Sequence, residues 1–153
     1  MLTNALRSAL VILCTTAHAW GANPVVGTWR LNVAKSTFNP GPAPKEETRS
    51  YEAQGEGVKV TVTTVAADGK STTVNISANY DGKDYPVTGS SLYDAIALKR
   101  IDDQTTEGTM MHAGKVVAST HREISRDGRT MTMTFKTLNE PRINNKAVYE
   151  KQD

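Results

Sequence analysis

The feature that most constrains this fold is a series of short strands separated by glycine-containing turns. The runs between the turns are rich in Thr and Val and alternate apolar with polar side chains, which is typical of half-buried strands. Gly supplies the positive φ that a hairpin turn needs. Four such turns are the clearest, at Ala67-Asp68-Gly69-Lys70, Tyr80-Asp81-Gly82-Lys83, His112-Ala113-Gly114-Lys115 and Arg126-Asp127-Gly128-Arg129. The pattern predicts an antiparallel meander.

The alternation also predicts how the strands pair, because a slip of one residue sends every side chain to the opposite face. Strands are predicted at 25–33, 46–53, 57–65, 71–80, 84–88, 95–101, 105–111, 115–124, 130–138 and 144–150. Short turns collect the apolar side chains on one face when they pair Val60 with Ile76, Ile76 with Val87, Arg122 with Met133, and Met110 with Val116. The other face is polar, unlike the outer face of an outer-membrane barrel. We therefore expect an all-β fold, a single antiparallel up-and-down β-barrel of about 8–10 strands with little or no helix.

Residues 1–19 have the composition of a secretory signal peptide. Arg7 gives a positive charge, residues 9–14 form a short apolar run, and Ala17-His18-Ala19 is a small-x-small cleavage site. The apolar run is shorter than the ~20 residues of a membrane span, although a retained N-terminal anchor is the alternative. We predict a single barrel domain at 20–153 in a bacterial protein that is exported, either to the periplasm or out of the cell.

The composition excludes several classes of protein. Removal of residues 1–19 leaves 17 basic side chains, 16 acidic side chains and no cysteine, so a disulfide-stapled miniprotein is excluded. The charges are scattered singly along the sequence, and neither nucleic acid nor an anionic membrane surface is an expected partner. Three prolines within residues 40–44 predict an extended crossing after the first strand, with Phe38 packed against the barrel.

The stretch Gly27-Thr28-Trp29 near the start of the predicted domain resembles the Gly-x-Trp signature of the lipocalins and the wider calycin group. The chain also resembles small exported bacterial proteins of undefined function that share the Pro-rich loop and the ending Val148-Tyr149-Glu150-Lys151. The resemblance implies an up-and-down barrel that holds a small apolar ligand, with Trp29 as the plug of one end. It also implies an arginine over the Trp29 ring, for which Arg122 and Arg142 are both candidates. The long C-terminal helix of typical lipocalins is missing.

Two arginines fall on the predicted inner face of the barrel. Arg100 is in phase with Leu98, and Arg122 is in phase with Ile124. A charge inside a barrel is costly unless it is paired or hydrated, so these arginines are predicted to hold the anionic head of an amphipathic ligand. Three tyrosines could assist them, namely Tyr80, Tyr85 and Tyr149. The alternative is that both arginines lie at the rim, solvated or paired with acidic side chains.

These observations favour a non-enzymatic binding protein for a small hydrophobic or amphipathic ligand held in the lumen. The predicted ligand-binding residues are Val60, Val62, Ile76, Tyr85, Leu98, Arg100, Met110, Arg122, Met133 and Phe135. The alternative is a filled barrel that acts as a structural or interaction protein of the cell envelope. A carrier role needs a lumen of about 300 Å³ or more. No catalytic motif, cofactor or metal site is expected, since His112 and His121 are predicted to lie too far apart to share a metal.

Overall fold

Ten antiparallel strands close into one barrel in the computed structural model, which describes residues 22–153. A short 3-10 turn, Val33–Lys35, follows the first strand, and no α-helix occurs in this part of the chain. The strands are β1 Gly27–Leu31, β2 Glu46–Gln54, β3 Gly57–Val65, β4 Ser71–Asn79, β5 Asp81–Thr88, β6 Ala95–Arg100, β7 Thr105–His112, β8 Lys115–Ile124, β9 Thr130–Thr137 and β10 Asn144–Lys151. The predicted fold class is confirmed. The predicted signal peptide at 1–19 lies outside the described residues.

The barrel is an up-and-down meander in which each strand pairs with its neighbours in the sequence. The first and last strands close it, with Trp29 opposite Lys151 and Leu31 opposite Tyr149. Closure leaves no free sheet edge among the described strands. Within residues 22–153, no helix is long and apolar enough to cross a bilayer.

The two ends of the barrel differ, and we name them by their contents. The plug end is where β1 begins and β10 finishes, and it carries the loops 55–56, 101–104 and 125–129. The cavity end is where β1 finishes and β10 begins, and it carries the loops 32–45, 66–70, 89–94, 113–114 and 138–143.

Three of the four predicted registers are confirmed. Val60 lies opposite Ile76, Ile76 lies opposite Val87, and Arg122 lies opposite Met133. The inward side chains of β3, β4 and β6 are correspondingly buried, and the outward ones are mostly exposed.

The register predicted between β7 and β8 is wrong. Met110 pairs with Ala118, and Val116 pairs with Met111 instead. The turn has two residues, Ala113 and Gly114, with φ of 49° and 75°, which suits a tight hairpin better than the predicted three-residue loop. A β-bulge between Met110 and Met111 takes up the extra residue and keeps Met110 buried.

Trp29 fills the plug end. Its ring is fully buried, and its indole N–H donates to the Val25 carbonyl over 2.8 Å, which satisfies the only polar group of the side chain. Lys151 Nζ lies 5.3 Å from the ring centroid. The prediction of an arginine over Trp29 is wrong for both candidates, because Arg142 pairs with Glu140 at the surface and Arg122 lies over the Tyr51 ring. The covering cation comes from the last strand instead.

Two loops fold over the cavity end. The Pro-rich loop is fastened to β10 by the bridge between Thr37 and Lys146, and Phe38 packs against the core as predicted. The loop 89–94 begins at Gly89, where φ is +84° and a Cβ would lie 1.9 Å from the Thr73 carbonyl oxygen. Only glycine allows this close approach, which directs the loop across the barrel mouth.

Candidate functional site

A cavity of about 150 Å³ lies in the lumen, between the plug end and the two loops that fold over the cavity end. Apolar side chains from β3, β4, β6, β7, β9 and β10 form most of its wall, with Phe38 and Tyr93 contributed by the loops. Gly108 also lines it, and the missing side chain there lets Thr120 Cγ2 approach to within 2.7 Å of the place where a Cβ would lie. The cavity has about half of the ~300 Å³ that a typical carrier site needs. The lumen therefore fails the volume criterion given above for a carrier of a ligand of typical size, and only a smaller ligand would fit.

The first polar group in the lumen, here called the Glu47 cluster, consists of Glu47, Arg49, Thr64 and Tyr149. Arg49 Nε donates to Glu47 Oε1 over 2.8 Å, and the Tyr149 hydroxyl donates to the same oxygen over 2.6 Å. The Thr64 hydroxyl donates to Glu47 Oε2 over 3.1 Å. Both carboxylate oxygens are thus satisfied inside the barrel, as a buried charge requires.

The cluster holds its charges in fixed states. Burial by itself would raise the pKa of Glu47, but the positive charge of Arg49 and the hydrogen bonds from Tyr149, Arg49 and Thr64 lower that pKa overall. Burial, together with the nearby Glu47 carboxylate, raises the pKa of the Tyr149 hydroxyl far above its ordinary value of 10.0. Glu47 therefore stays ionised and Tyr149 stays protonated at neutral pH.

The second polar group, here called the Arg122 cluster, consists of Arg122, Tyr51, Tyr80 and Thr106. Arg122 is 7% exposed and lines the cavity. Its Nη2 donates to Thr106 Oγ1 over 2.9 Å and to the Tyr80 hydroxyl over 3.3 Å. Its guanidinium carbon lies 5.2 Å from the Tyr51 ring centroid, in cation–π geometry.

No acidic side chain among residues 22–153 forms an ion pair with Arg122. Its Nε is buried and has no hydrogen-bond acceptor within the same range. Hydroxyl groups and ring faces stabilise the guanidinium but carry no formal negative charge. The described lumen, which holds Glu47, Arg49 and Arg122, thus has one positive charge in excess.

Most of the predicted ligand-binding residues come together at this cavity. Those that line it are Val60, Ile76, Leu98, Met110, Arg122, Met133 and Phe135. Val62 is buried but lies away from the cavity, and Tyr85 packs against the core while its hydroxyl donates to Asp81 at the surface. Whether any of these residues contacts a ligand remains a prediction.

The two predicted arginines separate. Arg100 lines a second depression of about 580 Å³ at the plug end, which is open to solvent because exposed residues such as Glu56 and Asp81 form its walls. Tyr80 lies between the two arginines, with its ring centroid 5.3 Å from the Arg100 guanidinium carbon and 6.0 Å from that of Arg122. Of the two, only Arg122 lines the lumen cavity.

Sequence reasoning missed the polar residues that β2 contributes to the lumen. Glu47, Arg49 and Tyr51 alternate at period two, as inward side chains of one strand must, and all three line the cavity. The alternation was present in the sequence, but the inward face of β2 has too few apolar side chains to be distinguished from its outward face. Tyr93 was missed as well, because its position depends on the path of the loop 89–94.

The two histidines of the barrel lie on its outer surface. His112 Nδ1 is 3.5 Å from Asp94, and His121 Nδ1 is 3.8 Å from Glu107. Among residues 22–153, no group of three or more His, Cys, Asp or Glu side chains is placed to hold a metal ion.

No protein-family model and no curated protein matches this chain. The closed barrel is compatible with the lipocalin resemblance, although its ten strands exceed the eight of a lipocalin barrel.

Proposed function

We propose that the protein is an exported, non-enzymatic binding protein for a small amphipathic anion, such as a compact monocarboxylate, held in the lumen. The observation that carries this proposal is the Arg122 guanidinium, which is almost fully buried, lines the cavity and has no anionic partner among the described residues. A ligand carboxylate would supply the missing counter-charge and accept charge-assisted hydrogen bonds.

The volume of the cavity limits the ligand to a small molecule. A cavity of about 150 Å³ in another protein accommodates benzene, whereas the extended chain of a fatty acid needs much more room. The apolar wall from Ile76, Leu98, Met110 and Phe135 favours a ring or a short alkyl group beside the carboxylate. The resemblance to lipocalins supports a lumen ligand, and the small volume narrows its size.

Benzoate and benzyl alcohol test the proposal, because they have similar shapes and differ in charge. We expect benzoate to raise the melting temperature of the protein and to bind in calorimetry, with benzyl alcohol much weaker. Arg122→Met should weaken benzoate binding by about 10- to 100-fold, the worth of a hydrogen bond to a charged group. The matched control is Arg142→Met, which changes an exposed arginine at the surface and should leave binding unchanged.

A second candidate function is a filled barrel without a small-molecule ligand, acting through its surface in the cell envelope. The observation that favours it is the same volume, since about 150 Å³ is half of the space of a typical ligand site. If no small carboxylate binds, or if Arg122→Met binds benzoate as well as the wild type does, the filled barrel becomes the better interpretation.

A further inference from the structure

The charged side chains on the outside of the barrel are segregated between its two ends. The loops and strand halves of the cavity end carry eight Lys and Arg and four Asp and Glu, a net charge of +4. The plug end carries seven basic and eleven acidic side chains, a net charge of −4. Lys35 at the cavity end forms an ion pair with Glu150 at the plug end. This pair reduces the net charges of the two ends to +3 and −3. A barrel that is almost neutral as a whole thus has a distinctly positive end.

Four lysines without an ion-pair partner among the described residues, offset only by Asp94, give the net charge of +3 that remains at the cavity end. They form no ion pair within residues 22–153, whereas Lys70, Arg142 and Arg30 at the same end are each paired with an acidic side chain. These four are Lys45, Lys115, Lys136 and Lys146. Their charge is available to an external anionic surface.

The exposed apolar side chains are concentrated at the same end. Of the five large apolar side chains exposed among the described residues, four lie at the cavity end and only Ile101 lies at the plug end. Three of the four follow one side of the mouth, because the Leu138 N–H donates to the Val117 carbonyl, Val116 pairs with Met111, and the Asp94 N–H donates to the Met111 carbonyl. These three are Leu92, Val116 and Leu138, here called the apolar rim.

We propose that the cavity end docks on the surface of an anionic phospholipid bilayer, a partner that the scattered charges of the sequence did not lead us to expect and that the separation of charge in the fold now favours. Unpaired lysines beside exposed leucines combine electrostatic attraction to anionic head groups with shallow insertion of apolar side chains, which is how interfacial proteins bind membranes. Nucleic acid is a poorer fit, since it would leave the apolar rim in water. Docking places the mouth of the barrel against the lipid, whatever the lumen holds, and this inference is independent of the proposed ligand.

The experiment is co-sedimentation of the full chain with phosphatidylcholine vesicles and with vesicles that also contain phosphatidylglycerol. We expect binding to the anionic vesicles, weakened by added salt. Lys115→Gln and Lys136→Gln should each lower the partition coefficient about fivefold. The matched control is Lys83→Gln at the plug end, which should leave it unchanged.

A second pair of matched variants tests how much the exposed apolar side chains contribute to vesicle binding. Leu138 and Ile101 are 51% and 49% exposed, at opposite ends of the barrel. Leu138→Ser should lower binding about tenfold, while Ile101→Ser should not change it. Because all variants share residues 1–21, any lipid binding by that segment is the same in each.

Two results would overturn the proposal. One is an absence of binding to anionic vesicles at low salt. The other is equal behaviour of the cavity-end and plug-end variants, since binding would then not depend on the end of the barrel that carries the rim. Circular dichroism of each variant verifies that the barrel is still folded.

Discussion

Arg49 and Arg122 both line the lumen cavity, Arg49 with 21% of its side chain exposed and Arg122 almost fully buried, but only Arg49 has a carboxylate partner. Arg49 pairs with Glu47, whose oxygens accept two further hydroxyl hydrogen bonds. Arg122 has two hydroxyl acceptors and two tyrosine rings. The charge of Arg49 is neutralised by Glu47, and this pair stabilises the fold. The Arg122 cluster lacks an anion, and a buried charge left in that state is expected at a site that serves binding rather than stability.

The largest loss of stability should come from removing the negative charge of Glu47, which neutralises Arg49. Glu47→Gln preserves the shape of the side chain but leaves the mostly buried Arg49 cation without its partner, and we expect it to cost about 3–5 kcal/mol of unfolding free energy. Urea unfolding at neutral pH measures it. A loss below about 1 kcal/mol would mean that the pair behaves like a surface ion pair, and the contrast with Arg122 would disappear.

The stability that Glu47 contributes should depend on pH. The pKa of Glu47 in the folded state lies below its ordinary value of 4.5, so its stabilising contribution is complete above about pH 4.5 and is lost as the pH falls through the folded-state pKa. The difference in unfolding free energy between the wild type and Glu47→Gln should therefore shrink in acid. Unfolding curves recorded from neutral to acid pH measure this difference, and a constant difference would contradict the assignment.

Removing a tyrosine hydroxyl should destabilise the protein less, and the loss should be larger in the Glu47 cluster than in the Arg122 cluster. Tyr149→Phe removes a 2.6 Å hydrogen bond to an ionised carboxylate and should cost about 1.5–3 kcal/mol. Tyr80→Phe removes longer hydrogen bonds, of 3.3 Å, from Arg122 and Asn23 and leaves Arg122 its bond to Thr106, so it should cost less. Urea unfolding of both variants under one set of conditions gives the comparison. Equal losses of unfolding free energy would mean that the hydrogen bond from Tyr149 to Glu47 is no stronger than the one from Arg122 to Tyr80.

The smallest effect on stability should come from Arg122 itself. Arg122→Met removes a buried charge that lacks an anion, and we expect a stability within about 1 kcal/mol of the wild type or above it. Arg49→Met, as the matched variant, should be destabilised by about 3–5 kcal/mol because it leaves Glu47 unpaired. If both variants lose the same stability, Arg122 is a structural residue like Arg49, and its proposed role in binding loses its main support.

The fold was largely predictable because strand alternation has a fixed period. The pairing of Val60 with Ile76 and of Arg122 with Met133 follows from keeping the apolar side chains on one face. The β-bulge at Met110 and Met111 was not predictable in this way, since both residues are apolar and either can face inward.

The candidate site was less predictable, because polar residues are ambiguous on a strand. The phase of Arg122 with Ile124 predicted its inward position correctly, whereas Arg100 has the same phase relative to Leu98 but lies at the end of β6, where a separate depression at the plug end opens to solvent. Glu47 and Arg49 were missed because each of them can face the lumen only when it is paired with the other. The spacing of apolar residues does not show such a pair. The separation of charge between the two ends is also invisible in the sequence, since consecutive turns alternate between the ends.

The pairing of β1 with β10 has a consequence for how the chain reaches its native state. Trp29 and Lys151 meet across this seam, so the barrel cannot close before the last strand is in place. Until then β1 and β9 would present unpaired backbone groups, which are templates for association with other chains. Contacts that join the two extremes of a chain also form slowly, because a long loop must be closed first. The protein is therefore most exposed to aggregation in the interval before closure, and a chain shortened at β10 would remain in that condition.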